Sequence, residues 1–274
     1  MTITPQIHRI DNPAKYYRGI DPDRTIPDLQ AIIEDAIRNH PRSLQKIIGP
    51  SSLGSACDRC LITELAGLLA DDESAPWLPT IGHAVHDWLE GVVIKHLMTT
   101  GSDRYIPEGR VSVGTVGGLT IDGNSDVLDL HTGTVVDYKC TGTTTLRKVA
   151  KNGPSLTYQR QAQLYGKGWE NAGFVVKSVA VWMLPRNGFT IGSGYLWQVD
   201  YDRADAEATI ARADMFAQAI GMFGPETVLG SAGAHTGTEF SCPDDKAAEK
   251  AAKQLDGLLS PQTPSATGAG TNAA

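Results

Sequence analysis

No stretch of the sequence approaches the roughly 18 consecutive apolar residues of a membrane-spanning helix. The first residues also lack a signal-peptide pattern, so we expect a cytoplasmic protein with no membrane partner. There are no internal repeats and no Walker A pattern, which argues against a nucleotide-driven motor within this chain. What remains, with 41% apolar and 20% charged residues in 274, is typical of one large soluble globular domain with appendages.

Cysteine is also scarce. The four cysteines are Cys57, Cys60, Cys140 and Cys242. In a cytoplasmic protein we expect them to be reduced thiols or metal ligands and not disulfides.

Basic residues are fewer than acidic residues, 24 against 31, and they are unevenly distributed along the chain. The net charge is −7, which argues against a protein that coats nucleic acid non-specifically. Between residues 139 and 186, however, the only acid is Glu170, and the eight basic residues are Lys139, Arg147, Lys148, Lys151, Arg160, Lys167, Lys177 and Arg186. This segment is a candidate phosphate-facing surface. The alternative is a solvated face whose counter-charges lie elsewhere in space.

Residues 121–139 predict two short strands joined by a tight turn, with Gly133 supplying the positive φ that a hairpin turn needs. A turn centred on Thr132 and Gly133 would place Leu128 opposite Asp137 and Asp126 opposite Lys139. Because side chains alternate along a strand, all four would share one face. Val136 and Tyr138 would then face the core on the other side.

Two carboxylates and an ammonium on one strand face form an unusual arrangement. Adjacent aspartates repel, and each disfavours ionisation of the other, so a divalent cation between them would remove the conflict. Mg²⁺ prefers such carboxylate and carbonyl oxygens. The D-x-K triplet of residues 137–139 is short, however, and a second one occurs at residues 244–246 without a strand pattern. Context therefore has to support the assignment.

Periodicity predicts both helices and strands, and we expect an α/β fold with a central mixed sheet flanked by helices. Predicted helices span residues 27–40, 61–69, about 79–98, 156–170 and 203–223, and predicted strands beside the hairpin span 104–113, 177–184 and 195–201. Residues 140–145 read as a loop, and residues 152–154 read as a break. Three segments follow: a lead-in with one helix at 1–45, a main domain at 46–224, and a C-terminal extension at 225–274 that is disordered from about 259.

Two predicted helices carry polar groups at helical spacing. His83, His86 and Glu90 lie on one face beside the apolar stripe of their helix. Gln161 and Tyr165 are four residues apart, the spacing at which two side chains are presented together.

Taken in order, these pieces resemble the RecB-like branch of the PD-(D/E)xK nuclease superfamily, which includes the Cas-four type exonucleases and phage homologues. The matching segments cover roughly residues 50–200. In sequence order they are Ser51-Ser52-Leu53-Gly54 with Cys57 and Arg59, Gly82-x-x-Val85-His86-x-x-x-Glu90, Gly123-x-x-Asp126, Asp137-Tyr138-Lys139 and Gln161-x-x-x-Tyr165.

The resemblance implies a restriction-endonuclease-like core and a role for each matching residue. His86, Asp126, Asp137 and the backbone carbonyl of Tyr138 would hold Mg²⁺ or Mn²⁺. Lys139 would position or activate the attacking water. Gln161 and Tyr165 would hold the substrate strand, and the DNA-binding residues would be Arg147, Lys148, Lys151, Arg160 and Lys167.

The implied activity is Mg²⁺- or Mn²⁺-dependent hydrolysis of DNA phosphodiester bonds by an exonuclease acting on single- or double-stranded ends. The implied setting is recombination, repair or phage DNA processing, with a recombination or helicase partner, in the host cytoplasm if the chain is phage-encoded. Many relatives also bind a 4Fe-4S cluster through one early and three late cysteines. This chain departs from that pattern, and a cluster would need Cys57, Cys60, Cys140 and Cys242 together.

Two other interpretations stay open. The first is a structural zinc protein, in which Cys57 and Cys60 join His83 and His86. The second is a non-catalytic DNA-binding accessory module that keeps the nuclease fold. The intact acidic pair and lysine argue against the second interpretation, because they are costly on one strand face unless they are used.

Overall fold

The structure is a computed structural model that describes residues 25–39, 48–68 and 77–236. The elements are α1 (Thr25–Arg38), α2 (Pro50–Leu53), α3 (Asp58–Leu65), α4 (Trp77–Thr100), β1 (Tyr105–Val116), β2 (Leu119–Asp129), β3 (Thr134–Thr141), α5 (Thr143–Asn152), α6 (Leu156–Asn171), β4 (Ser178–Pro185), a 3-10 turn (Ile191–Ser193), β5 (Tyr195–Asp200), α7 (Arg203–Phe223) and α8 (Pro225–Ser231). Within these ranges no helix is long and apolar enough to cross a membrane.

The chain divides into two compact units. One comprises residues 1–46 and 71–81, and the other comprises residues 47–70 and 82–274. The second unit holds the whole sheet. The three-segment division at 45/46 and 224/225 stays a prediction, and the disorder expected from about residue 259 falls outside the described residues.

Five strands form one sheet in the order β1-β2-β3-β4-β5. β3 and β4 are parallel, and the other neighbouring pairs are antiparallel. Parallel neighbours need a crossover connection, and here α5 and α6 supply it. The predicted α/β fold with a mixed sheet is therefore confirmed.

Helices cover both faces of this sheet, because side chains of opposite parity pack into different clusters. Leu128, Val135 and Met183 point toward α5 and α6 and pack with Tyr165 and Trp169. On the other face, Leu89 of α4 packs with Tyr138 and Leu184. The prediction that Val136 and Tyr138 face a core is confirmed.

The hairpin between β2 and β3 has a longer turn than predicted. Asp129 pairs with Thr134 and Leu128 pairs with Val135, so the predicted partners Asp137 for Leu128 and Lys139 for Asp126 are wrong by two residues. The loop at 130–133 closes through a bond from the N–H of Gly133 to the carbonyl of Asp129, and Gly133 has the predicted positive φ of 69°. Because an even shift keeps the alternation of side chains, Asp137 and Lys139 still share the face of Val135.

Three helices were missed: the short α2 and α8, and the longer α5. Residues 143–152 form α5, where the sequence analysis expected a loop and a basic stretch. Three consecutive threonines begin this helix, and β-branched residues are weak helix formers. Tertiary contacts outweigh that preference, because Leu146 and Val149 are buried and the N–H of Thr143 donates to Asn187 Oδ1.

Candidate active site

Asp126 lies where β2 and β3 separate. Their ladder covers residues 127–129 and 134–136, and beyond it the N–H of Tyr138 donates to Asp126 Oδ2 at 2.6 Å. The Asp126 carboxylate thus accepts a hydrogen bond that a backbone carbonyl of β2 would accept if the ladder continued. This bond positions Asp126 next to the strand that carries Asp137.

His86 approaches Asp126 from α4. Its Nδ1 lies 2.8 Å from Asp126 Oδ1, and its ring meets the Tyr138 ring edge-on at 6.1 Å. Burial lowers the pKa of His86, but the hydrogen bond and charge of Asp126 outweigh burial and raise the pKa above its ordinary value. Both oxygens of Asp126 are therefore held by neighbours.

Asp137 and Lys139 form an ion pair in the interior, with Lys139 Nζ 2.7 Å from Asp137 Oδ2. Burial raises the pKa of Asp137 to about 6, against the attraction of Lys139 and with a contribution from Asp126. Burial lowers the pKa of Lys139, but the charge of Asp137 outweighs it and raises that pKa. Lys139 is therefore an ammonium group in this arrangement.

The ion pair is not a well-formed hydrogen bond. The distance is short, but the angle is unfavourable, and Asp137 Oδ2 accepts no aligned hydrogen bond from the described residues. Asp137 is only 3% exposed. A buried carboxylate oxygen with incomplete hydrogen bonding is unusual in a folded protein and needs an explanation.

Helix α6 adds two polar groups and an aromatic ring beside Lys139. Gln161 Nε2 donates to the Tyr165 hydroxyl at 3.3 Å, and both side chains are buried. Burial and the charge of Asp137 raise the pKa of Tyr165 to about 12, so its hydroxyl keeps its proton. The Tyr158 ring lies 5.1 Å from Lys139 Nζ, within the range of a cation–π contact.

Two glycines of the matching segments allow close packing around this group. A Cβ at Gly123 would lie 2.5 Å from Pro50 Cγ and 2.9 Å from Tyr165 Cε1. A Cβ at Gly54 would lie 2.7 Å from the carbonyl oxygen of Thr157 on α6. The short helix α2 and strand β2 therefore approach α6 only because both positions lack side chains.

The donor set suits a hard divalent cation, with two carboxylates, a backbone carbonyl and an imidazole. The incompletely bonded Asp137 Oδ2 fits this assignment. Among the described residues, however, the side-chain donor atoms of His86, Asp126 and Asp137 do not all lie within 4.8 Å of one another. These side chains would have to move before they could share one ion.

The predicted DNA-binding residues fall into two groups. Arg147, Lys148 and Lys151 are exposed on α5, the helix that directly follows Lys139 and its strand. Arg160 and Lys167 are partly buried on α6. Arg160 donates to the carbonyl of Ser55, and Lys167 pairs with Glu170 and Glu207.

Two of the cysteines lie beside a histidine that neither metal-site interpretation included. Cys57 and Cys60 meet His235, whose Nδ1 lies 3.7 Å and 3.3 Å from the two sulfurs. These three form the only such ligand group in the described part of the chain. It includes neither Cys140, which lies on β3, nor His83 and His86. Cys242 falls outside the described residues.

Burial would raise the pKa of Cys57. Hydrogen bonds outweigh this effect and lower the pKa to about 6, with contributions from the backbone N–H groups of Cys60 and Thr236 and from the side chains of Cys60 and His235.

Sequence analysis missed His235. It follows a glycine- and alanine-rich stretch with no periodicity, and only its distance of seven residues from Cys242 could have drawn attention to it. The contact of Tyr158 with Lys139 was missed as well, because it depends on how α6 packs against β3.

No protein-family model matches the chain, and no curated protein matches it. Among solved structures, the crystal structure of SSO0001 is similar, with 13% identity and a TM-score of 0.44 over 85% of this chain and 96% of that one. An alkaline exonuclease from Laribacter hongkongensis, LHK-Exo, is similar with 15% identity and a TM-score of 0.44 over 76% of this chain and 95% of that one. The complex of LHK-Exo with dAMP gives 16% identity with the same coverage and TM-score.

Proposed function

We propose that this chain is a metal-dependent DNA nuclease of the RecB-like PD-(D/E)xK type, and that it acts as an exonuclease. The observation that carries the proposal is the ion pair of Asp137 and Lys139 beside Asp126. Its carboxylate is buried, has a raised pKa and lacks a well-aligned hydrogen bond. Perturbed titratable groups of this kind cluster at functional sites.

His86, Asp126, Asp137 and the Tyr138 carbonyl would hold Mg²⁺ or Mn²⁺. When bound, such an ion polarises a phosphoryl oxygen and lowers the pKa of bound water. The chain prepares the donors, because Asp126 is oriented by His86 on one oxygen and by the Tyr138 N–H on the other. Orientation of ligands by neighbouring hydrogen bonds strengthens metal binding.

Lys139 contributes charge where the phosphate becomes more negative. As an ammonium group it donates hydrogen bonds and does not accept a proton, so its role is to orient the attacking water and stabilise the transition state. The Tyr158 ring restricts the position of its ammonium group. Gln161 and Tyr165 add neutral donors for holding the substrate strand.

DNA would reach this site along α5. Arg147, Lys148 and Lys151 are exposed on that helix, which begins three residues after Cys140. Contacts of such side chains with phosphates position a nucleic acid without reading its sequence. An exonuclease with this surface would act on DNA ends in recombination, repair or phage DNA processing, alone or with a helicase or recombination partner.

The test is digestion of end-labelled single- and double-stranded linear DNA by the purified full chain with Mg²⁺, Mn²⁺ or EDTA. Covalently closed circles of both kinds are included, because an exonuclease leaves them intact. We expect metal-dependent release of label from linear DNA only. Asp137→Asn should lower the rate by about 10²–10³-fold, the usual loss when one charge-stabilising group is removed.

Asp244→Asn is the matched control, because it alters the second D-x-K triplet of the sequence. It should keep full activity. Cleavage of the closed circles would show that the protein acts as an endonuclease and not as an exonuclease. DNA binding without cleavage under any metal would contradict the enzyme assignment and favour an accessory DNA-binding module.

A further inference from the structure

A second group of metal-ligand side chains lies in the same compact unit and shares no residue with the candidate active site. Cys57 Sγ, Cys60 Sγ and His235 Nδ1 all lie within 4.8 Å of one another. They come from two chain segments that are 175 residues or more apart in sequence. Side chains that converge from distant segments are placed by the fold and not by local sequence.

The spacing of the donor atoms matches that of ligands around one ion. In a tetrahedral zinc site, Zn–S bonds of about 2.3 Å and Zn–N bonds of about 2.0–2.1 Å place two sulfurs roughly 3.8 Å apart and a sulfur and a nitrogen roughly 3.5 Å apart. The two sulfur–nitrogen distances in the structure are 3.7 Å and 3.3 Å. In a 4Fe-4S cluster each cysteine binds a different iron, so the donors stand further apart.

The group lies beside the contact between α3 and α8. Cys57 is buried at the start of α3, and Leu61 and Ile62 of that helix are buried as well. Arg59 of α3 donates to the carbonyl of Leu229 on α8 at 3.0 Å. An ion held by these ligands would join the start of α3 to the segment that follows α8.

We propose that Cys57, Cys60 and His235 bind one Zn²⁺ ion that ties the segment after α8 to α3. This site replaces both the four-cysteine cluster and the zinc set with His83 and His86. The zinc site shares no residue with the proposed nuclease centre, so this proposal does not depend on the nuclease activity. Zinc at such a site contributes directly to the stability of the fold.

The test is the metal content of the full chain purified without added metal, measured by plasma mass spectrometry with an assay for acid-labile sulfide. We expect about one zinc per chain and no stoichiometric iron or sulfide. Cys60→Ser and His235→Ala should each bind zinc more than about tenfold more weakly, since even loss of a supporting residue costs that much. Circular dichroism of both variants verifies that they fold.

Two matched controls identify the ligands. Cys140→Ser removes the cysteine on β3, and Asp137→Asn alters the proposed nuclease centre. Both should retain zinc, and only the wild type and these controls should lose thermal stability with a zinc chelator. Because Cys60 is only partly buried, Cys60→Ser should fold even if Cys57→Ser does not. Iron with sulfide in the wild type, or unchanged zinc affinity in His235→Ala, would overturn the proposal.

Discussion

Asp137 and Lys139 form a pair that is poorly suited to a purely structural role. Breaking a buried ion pair is destabilising because one charge is left unpaired, whereas replacing both partners by neutral groups is often harmless. Here the pair also lacks good hydrogen-bond geometry. Its presence is better explained by a function that separates the two groups when a cation and a phosphate enter.

The ion pair predicts that the effects of substitutions at Asp137 and Lys139 on stability are coupled. In metal-free buffer, Lys139→Met should lower the free energy of unfolding by about 3 kcal/mol at pH 8, because Asp137 stays buried without its cation. Asp137→Asn combined with Lys139→Met should recover most of that loss. Urea denaturation of the wild type, both single variants and the double variant measures the coupling. Additive effects of the two substitutions would contradict it.

The Lys139→Met defect should also depend on pH. The folded-state pKa of Asp137 is raised to about 6 from 3.8, and removing Lys139 takes away a group that lowers it. The folded variant therefore holds a proton that the unfolded chain has lost, so its free energy of unfolding falls as pH rises from about 4 through the raised pKa. Urea denaturation at pH 5 and pH 8 should show the smaller defect at pH 5. The double variant lacks the Asp137 carboxyl, so it should not show a smaller defect at pH 5 than at pH 8.

The short helix α2 packs closely against α6 because Gly54, the residue that caps α2, has no side chain. Gly54 caps α2 with an ordinary φ of −67°, so backbone conformation does not require glycine there. The requirement is space, because the chain of α6 passes within 2.7 Å of where a Cβ would be. This contact places α2 beside Gln161, whose backbone nitrogen is the next nearest atom at 3.3 Å.

Gly54→Ala should therefore lower the free energy of unfolding by about 1–3 kcal/mol, the usual effect of overpacking. Gly82→Ala is the matched control, since Gly82 lies in α4 and a Cβ there would meet nothing within 4 Å. Alanine in a helix should stabilise the protein by about 0.4–1 kcal/mol. Chemical denaturation of both variants measures the difference. Equal stability of the two would mean that α2 moves away from α6 without cost.

Over the whole molecule, net negative charge coexists with a basic helix. The chain carries −7 overall, but the exposed side of α5 presents Arg147, Lys148 and Lys151. Under the proposed function, DNA would bind at the basic helix, which directly follows the strand that carries Asp137 and Lys139.

Neutralising that helix should weaken DNA binding and its dependence on salt. In an Asp137→Asn background, Arg147→Gln with Lys151→Gln should reduce the slope of log K against log salt by roughly 1.4–1.8, since each lost phosphate contact removes about 0.7–0.9. Lys95→Gln with Arg110→Gln removes the same charge from exposed positions outside residues 139–186. Fluorescence anisotropy across a salt series compares the two. Similar slopes for both double variants would show that α5 makes no phosphate contacts.

Local sequence was enough to place some of the candidate site. Asp137 and Lys139 share a face because strand side chains alternate, and this result survived an error of two residues in the register. Gln161 and Tyr165 interact because they are one helical turn apart. These relations depend only on the geometry of one element and are readable without the rest of the chain.

Other parts of the site were decided by tertiary structure. The turn at 130–133 set the pairing of β2 with β3, because its length is determined by how the loop closes and not by the strands. His86 meets Asp126 across 40 residues, and His235 meets Cys57 across 178. Such contacts depend on the packing of several elements at once. The periodicity of any one segment therefore predicts which residues share a face, while only the assembled fold determines which distant side chains meet there.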